Sequence, residues 1–224
     1  MDYKGIFFDY DFTLGDSSAP ILVGFQKGFA AMGLPEPSME QVRPTIGMTL
    51  ADAFIHITGD RDPARGEEFY RQFQMAVEDL ADEAGKRVMV EGSRLFPGAA
   101  ELLKALKEDG RRTAIVSTKH SHTIRKILAF QQVPAMPDTV VGGSDVSRPK
   151  PSPEGLHKAM EELGLRPEEV LFCGDTVIDA RAAQNAGVDF CPVLNGTTPA
   201  AAFEAYPHVF VAEDLTALGR WLGV

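Results

Sequence analysis

Gly5-Ile6-Phe7-Phe8-Asp9-Tyr10-Asp11-Phe12-Thr13-Leu14 is the clearest signal in the sequence, an apolar strand followed at once by two carboxylates. Four residues between Ile6 and Tyr10 are bulky and apolar, as expected for a strand that is buried on both faces. Asp9 and Asp11 stand at the carboxyl end of that strand, where open α/β sheets bind their ligands. Because a buried carboxylate is costly to ionise without a counter-charge, the segment predicts a cation at the edge of a parallel sheet.

The composition is that of an ordinary globular protein. The 224 residues are 44% hydrophobic and 24% charged, which suits one large domain or a core that carries an insertion. The formal net charge is −10 and no basic cluster stands out, so neither nucleic acid nor an anionic membrane is expected as a partner. Cys173 and Cys191 each lie in an apolar run, which favours buried free thiols and leaves a disulfide as the alternative.

The N-terminal segment does not have the pattern of a signal peptide. Met1-Asp2-Tyr3-Lys4 leads directly into the strand and lacks the basic start, long apolar stretch and cleavage site of a signal peptide. No apolar run approaches the roughly 18 residues of a membrane span. We therefore expect a cytoplasmic protein, whose oligomeric state the sequence does not indicate.

The segment over residues 15–91 is expected to be helical. Apolar residues recur there at helical spacing in three groups, namely Leu22, Phe25, Phe29 and Met32, then Leu50, Phe54 and Ile57, then Phe69, Phe73, Val77 and Leu80. Ser18 begins the first predicted helix, a proline-rich loop over 35–44 follows it, and Asp62-Pro63 begins the third. This pattern predicts an inserted all-helical domain.

From Phe96 onwards, helices alternate with short apolar strands. The predicted strands lie at 113–117, 140–141, 170–173, 188–193 and 208–211. This alternation is typical of a parallel α/β fold. We therefore predict a Rossmann-like parallel sheet with helices on both faces, formed by residues 1–14 and 92–224, and a helical cap domain over 15–91.

Polar residues stand at four predicted strand ends and are expected to converge at one edge of the sheet. They are Asp9 with Asp11, Ser117, Lys150, and Asp175 with Asp179. Asp9 can attack phosphorus to give an aspartyl-phosphate, and Asp11 can protonate the leaving alcohol. Ser117 can hold phosphate oxygens near a helix N-terminus, and Lys150, fixed between prolines, can offset charge in the transition state.

A divalent metal ion completes this arrangement. An ester dianion repels a carboxylate, so a hard cation such as Mg²⁺ must screen the two. Asp175 would bind that ion directly. Asp179 would either hydrogen-bond to the residues that bind the ion or contact the ion through a water molecule.

Each group also has an ordinary structural interpretation. The Asp9–Asp11 pair can belong to a turn, Ser117 can be a turn residue, and Lys150 can be solvated. The run from Asp175 to Asp179 can cap the following helix. The order of the four groups, each beside a predicted strand, favours the functional interpretation.

Asp9-x-Asp11-x-Thr13, Ser117, Lys150 and Gly174-Asp175-x-x-x-Asp179 together resemble the four motifs of the haloacid dehalogenase superfamily in its phosphatase form. The resemblance covers essentially the whole chain, including a helical insertion of the C1 type found in phosphoglycolate phosphatases and β-phosphoglucomutases. It implies a Mg²⁺-dependent phosphatase for a small phosphorylated metabolite, with phosphoglycolate as the first candidate. Asp11 distinguishes the chain from true dehalogenases, whose leaving group needs no proton.

The resemblance also implies roles for individual residues. Asp9 is the nucleophile and Asp11 the acid/base, and the phosphate ligands are Thr13, Ser117, Thr118 and Lys150. The implied metal ligands are Asp9, Asp175, Asp179 and the backbone carbonyl of Asp11. Arg43, in a glycine-containing cap loop, either pairs with a substrate carboxylate or is a surface residue. Phe12 departs from the usual glycine of the first motif, and Thr118 from the usual asparagine of the second.

Three hypotheses follow from these residues. The first is a phosphatase. The second is a sugar-phosphate mutase, which would use the same residues but must protect its phosphoenzyme from water. The third is a catalytically silent binding or regulatory protein, which predicts the loss of a charged group at one strand end, and none is lost.

Overall fold

A computed structural model describes residues 3–77 and 87–224, and the chain divides into two compact units. Met1–Gly15 and Leu95–Val224 make up the first, which we call the sheet unit. Asp16–Arg94 makes up the second, the helical unit. Within the described ranges, no helix is both long enough and apolar enough to cross a membrane.

The strands are β1 (Gly5–Phe8), β2 (Gly15–Asp16), β3 (Arg94–Leu95), β4 (Arg112–Val116), β5 (Thr139–Val141), β6 (Val170–Gly174) and β7 (Asp189–Pro192). Five of them form one sheet in the order β5-β4-β1-β6-β7, in which every neighbouring pair is parallel, and β2 pairs with β3 separately. The predicted parallel α/β fold is confirmed. It puts β1 at the centre of the sheet, so the residues that follow β1 lie between those that follow β4 and β6.

The helices are α1 (Ser18–Ala31), α2 (Met39–Val42), α3 (Leu50–Thr58), α4 (Pro63–Val77), α5 (Val88–Gly92), α6 (Ala99–Glu108), α7 (Ser121–Phe130), α8 (Glu154–Leu163), α9 (Val177–Ala186) and α10 (Leu215–Leu222). The predicted loop over 35–44 contains α2, because Ser38 and Gln41 form a reciprocal capping box that begins a helix among the prolines. Leu80, expected on the third predicted helix, lies outside the described residues.

The strand predicted at 208–211 is wrong. Val209 donates a backbone hydrogen bond to Phe190 at 3.0 Å, and a single bridge joins Val193 to Ala212. Phe190 belongs to β7, so the segment lies beside that strand, but these isolated contacts do not form a ladder and the segment is a loop.

The core of the sheet unit follows from the alternation of side chains along β1. All four β1 residues are fully buried. Phe7 packs in a cluster with residues of α8 and α9, among them Leu156 and Ala183. Its neighbours Ile6 and Phe8 point to the opposite face, so helices must cover both sides of the sheet.

The helical unit is built around five phenylalanines on α1, α3 and α4. Neighbouring rings in this cluster lie 5.0–6.2 Å apart, and the members are Phe25, Phe29, Phe54, Phe69 and Phe73. Gly24 lets α1 approach α4 closely, since a Cβ there would lie 2.5 Å from the Phe73 ring. The residues that were predicted at helical spacing therefore form the packed core of the helical unit.

Candidate active site

The turn after β1 presents two aspartates at the carboxyl edge of the sheet. The Asp9 amide donates to the Cys173 carbonyl at 2.8 Å, which continues the parallel ladder one residue beyond β1. The amides of residues 13–15 then all donate to the Tyr10 carbonyl, at 2.9–3.2 Å. This tight closure fixes the backbone on both sides of Asp11.

Phe12 occupies the position in this turn where the family motif usually has glycine. Its φ is 59°, in the left-handed region that glycine adopts without strain. Its ring is buried, with 2% of the residue exposed. The backbone of the motif is therefore preserved, and burial of the phenyl ring offsets the conformational cost.

Lys150 lies between two carboxylates that come from different elements, one after β1 and one on α9. Its Nζ donates to Asp9 Oδ1 at 2.7 Å and to Asp179 Oδ1 at 2.5 Å, and all three side chains are buried. Lys150 is in the loop between β5 and α8, and Asp179 is in the first turn of α9. The sheet order therefore brings together groups that the sequence places at separate strand ends.

Asp179 both caps α9 and belongs to the charged cluster. Its Oδ2 accepts hydrogen bonds from the Thr176 amide at 3.0 Å and the Thr176 hydroxyl at 2.6 Å. Its Oδ1 is the atom that accepts from Lys150. The capping interpretation of this residue is thus correct, and it does not exclude a place in the site.

Asp175 is held against a loop that follows β7. Thr13 Oγ1 donates to Asp175 Oδ1 at 3.4 Å, and Asn195 Nδ2 donates to the Thr13 carbonyl at 3.1 Å. A Cβ on Gly196 would lie only 2.0 Å from Asp175 Oδ2, so this approach requires glycine. Asn195 and Gly196 were not predicted as part of the site, because an Asn-Gly pair is also an ordinary turn signal.

Asp9, Asp175 and Asp179 form a group that can hold a metal ion. Each offers one carboxylate oxygen, and these oxygens all lie within 4.8 Å of one another. All three residues are buried. Hard divalent cations prefer this kind of oxygen donor set. The side chain of Asp11, which the resemblance places near the metal through its backbone carbonyl, is not in this group.

Ser117 and Thr118 follow β4 at the same edge. The Ser117 amide donates to the Val141 carbonyl at 3.0 Å, and its hydroxyl oxygen accepts from the Lys119 amide at 3.3 Å. Ser117 is buried and Thr118 is half-buried. Lys119, which the sequence analysis missed, reaches Asp11 Oδ2 with its Nζ at 3.1 Å. The available signal was its position two residues after Ser117, at the end of a predicted strand.

The cluster carries more negative than positive charge. Four carboxylates, of Asp9, Asp11, Asp175 and Asp179, face the ammonium groups of Lys119 and Lys150, and each of these side chains is nearly or fully buried. When all six groups are ionised, they leave an excess of two negative charges in a region of low dielectric. One divalent cation has the charge that would neutralise this excess.

Burial and mutual repulsion perturb the acids of this cluster. Burial raises the pKa of Asp9 to about 6, although Lys150 opposes the shift. Burial, followed by the charges of Asp179 and Asp9, raises the pKa of Asp175 well above its usual range. For Lys150, burial alone would lower the pKa, but Asp179 and Asp9 outweigh it and raise the pKa above its ordinary value. The raised pKa values of Asp9 and Asp175 are those expected of carboxylates that lack sufficient counter-charge.

Arg43 belongs to the helical unit. It is exposed and begins a short 3₁₀ helix, Arg43–Thr45. Its contact with a substrate carboxylate stays a prediction.

The chain is similar to known proteins over nearly its whole length. Residues 6–193 match the model of a family described as haloacid dehalogenase-like hydrolase. A protein from Bacillus cereus (strain AH820) named pyrophosphatase PpaX is 31% identical over 218 residues, which are 97% of this chain and 95% of that protein.

Two solved structures show the same fold. A protein from Bacteroides fragilis, described as a haloacid dehalogenase-like hydrolase, superposes with a TM-score of 0.88 at 36% identity, covering 96% of this chain and 99% of that one. A structure from Haemophilus somnus 129pt, described as a predicted phosphoglycolate phosphatase, has a TM-score of 0.80 at 23% identity and covers 99% of each chain. At that identity, the second likeness concerns the fold alone.

Proposed function

The chain belongs to the haloacid dehalogenase-like hydrolase family, and on that basis we propose that it is a Mg²⁺-dependent phosphatase acting on a small phosphorylated metabolite. Its reaction passes through an aspartyl-phosphate, the acyl phosphate of Asp9. Ser117, Lys150 and Asp11 serve that reaction from neighbouring positions at the carboxyl edge of the sheet.

The observation that carries this proposal is the position of Lys150 between Asp9 and Asp179, with Asp175 beside them. A nucleophilic carboxylate needs a fixed cation close by if it is to approach a phosphate dianion. Lys150 supplies one at 2.7 Å from Asp9 Oδ1, and its burial keeps water from weakening the interaction. An ordinary surface ion pair would have neither the burial nor the second carboxylate.

The chain's own residues divide the reaction into two steps. In the first, an Asp9 oxygen bonds to phosphorus while the bond to the leaving oxygen breaks, and Asp11 gives its proton to that oxygen. In the second, Asp11 takes a proton from water as the water attacks phosphorus and releases Asp9. Ser117, Thr13 and Thr118 offer donors to the phosphate oxygens.

The metal site fits a divalent cation of the Mg²⁺ type. Asp9, Asp175 and Asp179 would hold it, and the excess of two negative charges in the cluster matches its charge. When bound, such an ion neutralises charge on the phosphoryl group and on the carboxylates.

Two substrates deserve to be tested first. Phosphoglycolate is the first candidate, because it is the small acid that the family resemblance suggests. Inorganic pyrophosphate is the second, because relatives that are 31% identical across nearly the whole chain are named pyrophosphatases.

The experiment is phosphate release from a panel of phosphoglycolate, pyrophosphate, hexose phosphates and nucleotides, with and without Mg²⁺. We expect Mg²⁺-dependent release that Asp9→Asn abolishes and that Asp109→Asn, a change at the exposed residue that follows α6, leaves intact. Isomer formation without phosphate release would instead establish a mutase. No turnover of any compound would refute the proposal.

A second readout tests the metal site apart from turnover. An ion that binds only the folded state at a hundred times its Kd stabilises it by about 2.7 kcal/mol. Mg²⁺ should therefore raise the melting temperature of the wild-type protein and raise that of Asp175→Asn much less. Equal shifts in both proteins would argue against this ligand set.

A further inference from the structure

We propose that Lys119 is a positioning residue for Asp11, which it holds so that one carboxylate oxygen stays available for proton transfer to the leaving group. This inference rests on the proposed function, because it assigns Lys119 to the acid/base of that reaction. It adds a residue that the motif pattern did not indicate.

The contact between the two side chains is close and is largely shielded from solvent. Lys119 Nζ lies 3.1 Å from Asp11 Oδ2, and the two side chains are 8% and 9% exposed. The other oxygen, Asp11 Oδ1, is buried and has no hydrogen-bond partner among the residues that the structure describes. A buried acceptor is normally satisfied, so an unsatisfied one indicates a site for a group that arrives with the substrate.

The backbone of Lys119 is fixed at both its amide and its carbonyl. The amide donates to Ser117 Oγ at 3.3 Å, and the carbonyl accepts from the Gly143 amide at 3.1 Å. A Cβ on Gly142 would lie 2.5 Å from that carbonyl oxygen, so the approach depends on the glycine. Lys119 therefore starts from a defined place between the ends of β4 and β5, unlike a lysine on a free surface loop.

A fixed Lys119 has a direct consequence for the chemistry of Asp11. The carboxyl group of an aspartate rotates about its last bond, and its two oxygens exchange places unless one of them is held. With Oδ2 held in an ion pair with the Lys119 ammonium, Oδ1 is the oxygen that carries and transfers the proton. As the Asp9–phosphorus bond forms and the ester P–O bond breaks, the Oδ1 proton moves to the leaving oxygen.

The test compares two substrates that differ in their need for that proton. The leaving group of an alkyl phosphate ester, such as phosphoglycolate, is a strongly basic alkoxide. The leaving group of p-nitrophenyl phosphate is a weakly basic phenolate. General acid catalysis contributes about 10²–10⁴-fold where it is needed. We expect Lys119→Met to lower kcat/KM for the alkyl ester about tenfold or more relative to the aryl ester. The ratio of the two values does not depend on the fraction of folded enzyme, so partial misfolding cannot imitate the result.

Three further variants sharpen the comparison. Lys119→Arg keeps a cationic donor and should restore most of the ratio. Lys104→Met, at an exposed lysine on α6 whose nearest acid is 3.7 Å away, should leave the ratio at the wild-type value. In an Asp11→Asn background, Lys119→Met should cause no further change in the ratio, because the residue acts through Asp11.

Equal losses on both substrates would overturn the inference and make Lys119 a phosphate ligand instead. An unchanged ratio in an active Lys119→Met enzyme would also overturn it, while leaving the proposed function in place. A wild-type protein that hydrolyses neither ester would overturn the proposed function, and this inference with it.

Discussion

Replacing Gly196 by alanine should displace the carboxylate of Asp175 without unfolding the protein. A Cβ at this position would lie 2.0 Å from Asp175 Oδ2, 2.8 Å from its Cγ and 3.0 Å from its Cβ. Atoms in contact are normally about 3.5 Å apart, so the oxygen must move by about 1.5 Å. The atoms in conflict are the end of a side chain, and the side chain can rotate.

The structural cost and the functional cost of that rotation differ greatly. An off-rotamer side chain costs about 0.5–1.5 kcal/mol, which corresponds to a fall of about 2–6 °C in Tm for a chain of this size. A displacement of about 1 Å in an active site costs roughly hundredfold in rate, and disturbing the support of a metal ligand costs about 10–100-fold in metal affinity or activity. We therefore expect Gly196→Ala to lose about two orders of magnitude in activity at limiting Mg²⁺ and only a few degrees in Tm.

The assay is phosphate release across a Mg²⁺ titration, together with a thermal melt of the same preparation. Gly66→Ala is the matched control, because a Cβ on this helical glycine would meet only the Ala51 side chain at 3.7 Å and its Cα at 4.0 Å. That control should keep full activity and gain about 0.5–1 kcal/mol of stability, as alanine is the better helix former. Wild-type Mg²⁺ dependence and activity in Gly196→Ala would show that Gly196 does not set the position of the Asp175 carboxylate. A fall in Tm far beyond a few degrees would show that the backbone moved instead of the carboxylate.

Three further outcomes are expected. Lys150→Met leaves Asp9 and Asp179 buried without their cation, so in the absence of Mg²⁺ it should cost about 3–5 kcal/mol in denaturant unfolding; a loss below 1 kcal/mol would contradict this. At Phe12, the left-handed backbone makes alanine worse than glycine, so Phe12→Gly should be about 1 kcal/mol more stable than Phe12→Ala, and the reverse order would show that φ is not restrained. Glu169 accepts from Lys4 Nζ at 2.6 Å, which helps to hold its pKa at about 2 instead of 4.5, so its stabilising effect is complete above pH 4.5 and is lost as the pH falls toward 2. The difference in Tm between Glu169→Gln and wild type should therefore shrink from pH 7 to pH 3, and a constant difference would contradict the assignment.

Local patterns were sufficient for most of the architecture. The buried run of β1, the alternation of helices and strands after Phe96, and the helical spacing of Phe25, Phe29 and Phe69 all report which faces of an element avoid water. Where a local pattern had two meanings, the prediction failed. The proline-rich segment contains α2, and the run at 208–211 lies beside β7 as a loop that makes only isolated backbone contacts with it.

From the sequence it was possible to predict the fold class, the family and the placement of Asp9, Ser117, Lys150 and Asp175 near strand ends, because strand burial and strand ends are encoded by neighbouring residues. How these groups meet is a property of the folded chain. Three contacts join residues that lie on different elements. Asp179, which caps α9, also accepts a hydrogen bond from Lys150. Gly196 packs against Asp175, and Lys119 pairs with Asp11. Such contacts depend on the order of strands in the sheet and on distances of a few ångströms between side chains, which no local pattern specifies.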